Sequence, residues 1–110
     1  MPEEMFRSTM RPDGDVAGVF EFDGEVGYFY LYDLAKGKGD KIKSSIRIVS
    51  GNPDFSEIDV SISWNKTGDA VGLYIKNRLW AAFNAQGTKY GGAYSPANTP
   101  TIPADLISSF

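Results

Sequence analysis

The stretch from Glu57 to Asn84, EIDVSISWNKTGDAVGLYIKNRLWAAFN, decides the fold. Ile58, Val60, Ile62 and Trp64 alternate with Asp59, Ser61, Ser63 and Asn65. A period of two puts apolar side chains on one face and polar ones on the other. That is the pattern of an antiparallel strand covering a core on one side only. Ile58, Val60 and Ile62 are expected inside, and Asp59, Ser61 and Ser63 in solvent. Turn chemistry follows at Lys66-Thr67-Gly68-Asp69, then a second apolar run, then Lys76-Asn77-Arg78 and a third run. Three strands of a meander are thereby predicted.

Upstream, Val16 to Phe22 and Val26 to Tyr32 carry the residue types that strands prefer. A two-residue Asp23-Gly24 turn joins them. It places Val16, Phe20, Phe22, Phe29 and Leu31 on one face, and Tyr28, Tyr30 and Tyr32 with Val19 and Glu21 on the other. A slip of one residue would reverse the partnership. The chosen register gathers the phenylalanines into one core and leaves the tyrosine hydroxyls half-wet beside Glu21. Ile42 to Val49 is a further strand, with Ile42, Ile46 and Ile48 on one face and Lys43, Ser45 and Arg47 on the other. Gly51-Asn52-Pro53-Asp54 breaks it.

The ends are less regular. Residues 1–15 are expected as a loose lead-in closed by Pro12-Asp13-Gly14. After Asn84 come Gly87, Gly91, Gly92, Pro96, Pro100 and Pro103, the composition of an irregular segment. Pro103-Ala104-Asp105-Leu106 opens a short helix. So short a helix holds only if Leu106, Ile107 or Phe110 docks on the sheet. The expectation is a single all-β domain over residues 1–110. About six antiparallel strands in meander order form a sandwich or a partly open barrel, with a short C-terminal helix or coil. The meander spans 16–84 and the irregular tail 85–110.

Composition narrows the chemistry. The 110 residues suit one domain with one core, and 42% hydrophobic content is that of a globular protein. The formal net charge of −3 argues against nucleic acid. There is no cysteine and no histidine. Most nucleophile–base pairs and most zinc sites are thereby excluded, and no metal or cofactor is expected. The absence of cysteine, and an N-terminal MPEEMFRSTM without an apolar h-region, predict a cytoplasmic protein. No run approaches the roughly 18 apolar residues of a membrane helix.

Candidate chemistry is sparse. The tyrosine row Tyr28, Tyr30, Tyr32, with Glu21 beside it, offers stacking surface for a ligand or a partner side chain. The same row also suits plain cross-strand packing under the tail. Trp64 and Trp80 fall on apolar faces and are expected in the core. The acidic turns Asp13-Gly14-Asp15 and Asp23-Gly24-Glu25 match no calcium loop and need only turn chemistry. Lys36, Lys38, Lys41 and Lys43, interleaved with Gly37 and Gly39, precede a strand, so they form no Walker motif. They are expected as a solvated loop or a modest anion patch. Asn65-Lys66-Thr67 fits a glycosylation sequon, which without a secretory signal amounts to a turn.

Two segments, GVFEFDGEVGYFYLYD from Gly18 to Asp33 and ISWNKTGDAVGLYIKNRLWAAFN from Ile62 to Asn84, resemble a family of short uncharacterised bacterial proteins, a domain of unknown function. That resemblance implies no catalytic residues. The second segment is also similar to one hairpin of a β-propeller blade, but the chain has no internal repeat and is too short for a propeller.

The functional expectation is a small non-catalytic binding or interaction protein: an inhibitor, an immunity-type partner or a small ligand-binding module. Its partner is a protein or a small ligand, without nucleic acid or membrane. The surface is expected on Tyr28, Tyr30, Tyr32 and Glu21, bordered by residues 88–100 with Tyr90 and Tyr94. The alternatives are a carboxylate-driven enzyme on glycans using Glu21, Asp23 or Glu25, and a structural homodimer.

Overall fold

The computed structural model describes residues 4–12, 14–34, 42–51, 53–84, 86–95 and 100–110. Within them the chain forms two four-stranded antiparallel sheets, each a simple meander. The first holds β1 (Met5–Met10), β2 (Val16–Phe22), β3 (Val26–Asp33) and β4 (Ile42–Ser50). The second holds β5 (Val60–Trp64), β6 (Ala70–Ile75), β7 (Arg78–Asn84) and β8 (Lys89–Gly91). A short helix, α1 (Ala104–Ser108), follows. The two sheets share one core and are not joined strand to strand into a closed barrel, so the architecture is a sandwich.

The core comes from the inner faces that the alternation predicts. Phe20, Phe22, Phe29 and Leu31 of the first sheet meet Val71, Leu73, Ile75 and Phe83 of the second, and none is more than 2% exposed. The rings of Phe29 and Phe83 lie 4.8 Å apart across the interface. Gly18 lets the sheets approach closely there. A Cβ on it would stand 2.7 Å from Val71 Cγ2 and 3.0 Å from Ile62 Cγ2. Val60 and Ile62 are buried and Ser61 and Ser63 are exposed, as the register requires.

The first hairpin keeps its expected faces, but its turn moves by one residue. Phe22 pairs with Gly27 and Phe20 with Phe29, so Gly24-Glu25 is the two-residue loop. Gly24 takes the positive φ, at 100°. The Asp23 carboxylate accepts from the backbone N–H of Glu25 (2.9 Å) and of Val26 (2.8 Å). That side-chain bridge makes Asp23 the residue before the turn rather than one of its central pair.

Several expectations are corrected. Met5–Met10 is not a loose lead-in but an edge strand paired along its whole length with β2. Lys89–Gly91, inside the supposedly irregular tail, is a second edge strand, pairing with β7. Ile58 is 83% exposed, because Glu57–Asp59 form a 3₁₀ turn and the alternation begins only at Val60. The Asp59 carboxylate accepts from the Ser56 N–H at 3.0 Å and holds that turn. Ile42 does not share a face with Ile46 and Ile48. Ser44 faces Leu31 while Ile42 faces Tyr32, so Lys43 is an extra residue that turns Ile42 to the outer side. A second bulge at Ile48 explains why Ile48 and Val49 are both buried although adjacent. Trp80 sits at a third bulge, in β7, and is in the core at 3% exposure, whereas Trp64 is half-buried.

The edges are closed by side chains rather than left open to another strand. Phe6 N–H donates to Glu57 Oε2 (3.2 Å), Trp64 Nε1 donates to the Thr9 carbonyl (2.9 Å), and Thr9 Oγ1 donates to the Ile62 carbonyl (2.8 Å). On the opposite side, Tyr94 N–H donates to the Ile48 carbonyl at 2.7 Å and ties the segment after β8 to β4. No helix among the described residues is long and apolar enough to cross a membrane.

Candidate functional site

Strand register arranges the outer face of the first sheet as three rows. One row runs Phe6, Glu21, Tyr28, Arg47. The next runs Ser8, Val19, Tyr30, Ser45. The third runs Met10, Ala17, Tyr32, Ile42. The sequence predicts the tyrosines, Val19 and Glu21 on this face. It does not predict Phe6 and Met10, because β1 is missed, or Ile42, because its bulge is missed. The alternation that would reveal β1 is faint: Phe6, Ser8 and Met10 share one face, but Met5 on the other is apolar too and Ser8 is polar.

This face is open. Phe6 is 53% exposed, Met10 54%, Tyr28 42% and Ile42 46%. Tyr30 and Tyr32 are half-buried, with ring centroids 6.5 Å apart. Ala17 and Val19 are buried although they point outward, shaded by their larger neighbours. Burial, together with the hydrogen bond and charge of Glu21, raises the Tyr30 pKa above its ordinary value. Tyr30 therefore stays a protonated donor to Glu21 at neutral pH.

One end of the face slopes into a groove of about 430 Å³ lined by Glu4, Met5, Phe6, Glu21, Phe22, Asp23 and Glu57. Four carboxylates thus surround an apolar floor. Three of them bond to neutral groups. Glu21 accepts from Tyr30, Asp23 from two turn N–H groups, and Glu57 from the Phe6 N–H. Those two backbone donors hold the Asp23 carboxyl below its ordinary pKa. Arg7 lies close by, but its guanidinium donates to the Glu57 carbonyl (3.2 and 3.3 Å). Among the described residues, the ion pairs Arg11–Asp15 and Lys76–Asp54 involve none of the four acids.

The tail tyrosines are not part of this surface. Residues 92–95 do run beside the β4 edge, but Tyr94 turns inward. Its ring packs edge-on against Trp80 (4.7 Å) and Phe55 (4.8 Å), and its hydroxyl donates to Asp54 at 2.7 Å. Burial first, then Asp54, pushes its pKa up to about 12. Tyr90 pairs with Ala82, itself opposite Gly72, on the outer face of the other sheet. The expected grouping of Tyr90 and Tyr94 with Tyr28, Tyr30 and Tyr32 is therefore not formed.

Tyr90 instead lines a second cavity of about 340 Å³ with Asn65, Thr67, Asp69, Pro103, Asp105, Leu106 and Ser109. Its polar groups are spent on each other. The buried Asn65 amide donates to Asp69 (2.6 Å) and Ser109 (3.2 Å) and accepts from the N–H of Asp69 and Ala70. That network fixes the β5–β6 loop and ties the C-terminus to it, so Asn65 serves the fold and not a glycan. Asp13, Lys36, Lys38 and Lys41 lie outside the described residues. Among the described residues, no group of three or more metal-ligating side chains is assembled.

Comparison with known proteins gives one family. The profile described as "Uncharacterized protein conserved in bacteria (DUF2251)" matches residues 1–103. Neither the curated proteins nor the solved structures yield a match.

Proposed function

We propose that this chain, which belongs to that bacterial family of uncharacterised proteins (DUF2251), is a non-catalytic interaction protein that binds a protein partner on the outer face of its first sheet. One observation carries the reading. Four large apolar side chains, Phe6, Met10, Tyr28 and Ile42, stand 42–54% exposed on a single rigid face, interleaved with half-buried Tyr30 and Tyr32. Scattered exposed apolar residues need no explanation, but here Tyr28, Tyr30, Tyr32, Ile42 and Met10 adjoin through the strand rows, with Glu21 and Ser8 between them and Phe6, and such a grouping marks an interaction surface. Tyrosine and methionine supply contact area with few rotamers to freeze or with easy adaptation of shape. The four-stranded sheet beneath holds them in place, so little ordering is needed on binding. We set this role in the cytoplasm, where a cysteine-free domain needs no oxidising compartment.

The test compares binding and folding for Tyr28→Ser and Phe6→Ser. The partner comes from affinity capture in a native host, followed by purification of the captured protein. Each variant is expected to stay folded, with a melting temperature lower by no more than a few degrees, and to lose tenfold or more in affinity. Unchanged affinity in both would remove this face as the partner surface.

A second reading, a carboxylate-driven enzyme on glycans, rests on Glu21 and Asp23 lining one groove beside the tyrosines. A general acid needs a raised pKa, whereas two backbone N–H groups lower that of Asp23, so in such a pair Asp23 would be the ionised member and not the acid. Turnover of a chromogenic glycoside, abolished by Glu21→Gln, would favour the enzyme.

A further inference from the structure

We infer that the partner presents a basic, partly apolar segment: an apolar side chain lies against Tyr28 and Phe6, and a neighbouring lysine or arginine enters the groove between Glu21 and Glu57. This rests on the interaction surface proposed above and adds the chemistry of its occupant. Charge complementarity selects that occupant. The apolar face does not end in neutral solvent at the β2–β3 turn. It ends at Glu4, Glu21, Asp23 and Glu57 around a groove floored by Met5, Phe6 and Phe22.

The geometry joins the two features physically. Phe6 belongs to both the exposed row and the groove wall. Glu21 stands between Phe6 and Tyr28 in the same row. A long cationic side chain would bury its methylenes on Phe6 while its head meets the carboxylates, as amphipathic side chains do at such borders. The carboxylates point against a second copy of this chain as the occupant. The protein carries −3 overall, and a copy seated here would bring acid towards acid along much of the rim. Among the described residues of the three rows, Arg47 at the far end of the Tyr28 row is the exposed cation. It would repel a partner that is basic along its whole length, so the cationic part of the segment is confined to the groove end.

The experiment uses two short labelled peptides, one alternating lysine and leucine and one alternating glutamate and leucine, titrated by fluorescence anisotropy onto the full chain. The lysine peptide is expected to bind, and to weaken as salt is raised. Binding should fall tenfold or more in the double variant Glu21→Gln, Glu57→Gln. Those amides keep an oxygen to accept from Tyr30 and from the Phe6 N–H, so the fold should stand. A circular dichroism melt of the same variant verifies that. Tyr28→Ser should weaken the lysine peptide by a similar factor. Equal binding of both peptides, with both sensitive to Tyr28→Ser and neither to the amide substitutions, would overturn the basic partner while leaving the surface intact. Binding indifferent to Tyr28→Ser and Phe6→Ser would overturn the surface itself. A dimer in light scattering that Tyr28→Ser dissociates would show that a second copy takes the face, and would also overturn the inference.

Discussion

The middle row on the outer face of the second sheet is Ser63, Gly72, Ala82 and Tyr90, whereas the corresponding row of the first sheet is Ser8, Val19, Tyr30 and Ser45. Both sheets are four-stranded meanders contributing phenylalanines and aliphatics to one core. They differ in what sits on the back. Gly72 and Ala82 leave a socket, and the chain fills it itself. A Cβ at Gly72 would lie 3.0 Å from the Phe110 ring and 2.5 Å from Leu79 Cδ1. Phe110 also meets Tyr74 edge-on at 6.1 Å. Ala82 is fully buried as a result. The first sheet, with large aromatics in place of small residues, has no such socket, and its apolar side chains remain open. The same secondary structure thus yields a closed back and an open back. The difference lies in side-chain size at a few outward positions.

Four perturbations probe that contrast. Gly72→Val attacks the closed back most directly. The added branch would collide with Leu79 and occupy the seat of the Phe110 ring. We expect a loss of about 2 kcal/mol or more and a melting temperature lower by on the order of 10 °C. An unchanged melt would show that Phe110 is not seated there. Phe110→Ala removes the plug without the clash. Its half-buried ring should account for about 1 to 2 kcal/mol in denaturant unfolding, and Tyr74 fluorescence should become more accessible to quenchers.

Tyr94 sits on the seam between the two sheets. Tyr94→Phe should lower stability by about 1 kcal/mol at neutral pH through the lost bond to Asp54. A pH series separates this from packing. The folded pKa is raised to about 12 from an ordinary 10.0, so folding favours the neutral phenol. That preference has no effect below pH 10, where both states are protonated. Stability then falls as pH rises through the interval between 10 and about 12. Tyr30 and Tyr74 are raised too and contribute to the same fall, so Tyr94→Phe should flatten it in part. An alkaline melt series on the two proteins checks this.

The smallest effect on stability is expected on the open back. Tyr28→Ser should lower the unfolding free energy by only about 0.5 to 1 kcal/mol, because 42% of Tyr28 stays exposed and the loss is mainly one of strand propensity. A larger loss would mean that the open face is covered by part of this chain, and the contrast between the backs would fail.

Much of the β framework was legible because period-two alternation is a local property. Tyr28, Tyr30 and Tyr32 lie on the side opposite Phe29 and Leu31 whatever the rest of the chain does. The same rule failed where a backbone irregularity changed the count. A 3₁₀ turn put Ile58 into solvent, and the extra residue Lys43 put Ile42 among the tyrosines. Edge strands were harder still. Met5–Met10 buries only Met5, so its sequence carries no strong one-sided pattern. Lys89–Gly91 is too short to carry any.

The sequence by itself determined an all-β domain, the faces of its central strands, a short helix after Pro103, and chemistry built without histidine or cysteine. Only the tertiary structure decided which aromatics share a surface. Tyr90 and Tyr94 are four residues apart in the chain, yet one faces outward on the second sheet and the other plugs the core rim. Phe6, Glu21 and Tyr28 are brought into a single row by pairing between strands. Alternation fixes which side of its own strand a residue takes. It carries no information about which neighbour lies across the ladder or what later folds over the sheet. Those depend on register, bulges and the fit of a distant ring beside a glycine, and each is settled by contacts between residues far apart in the chain.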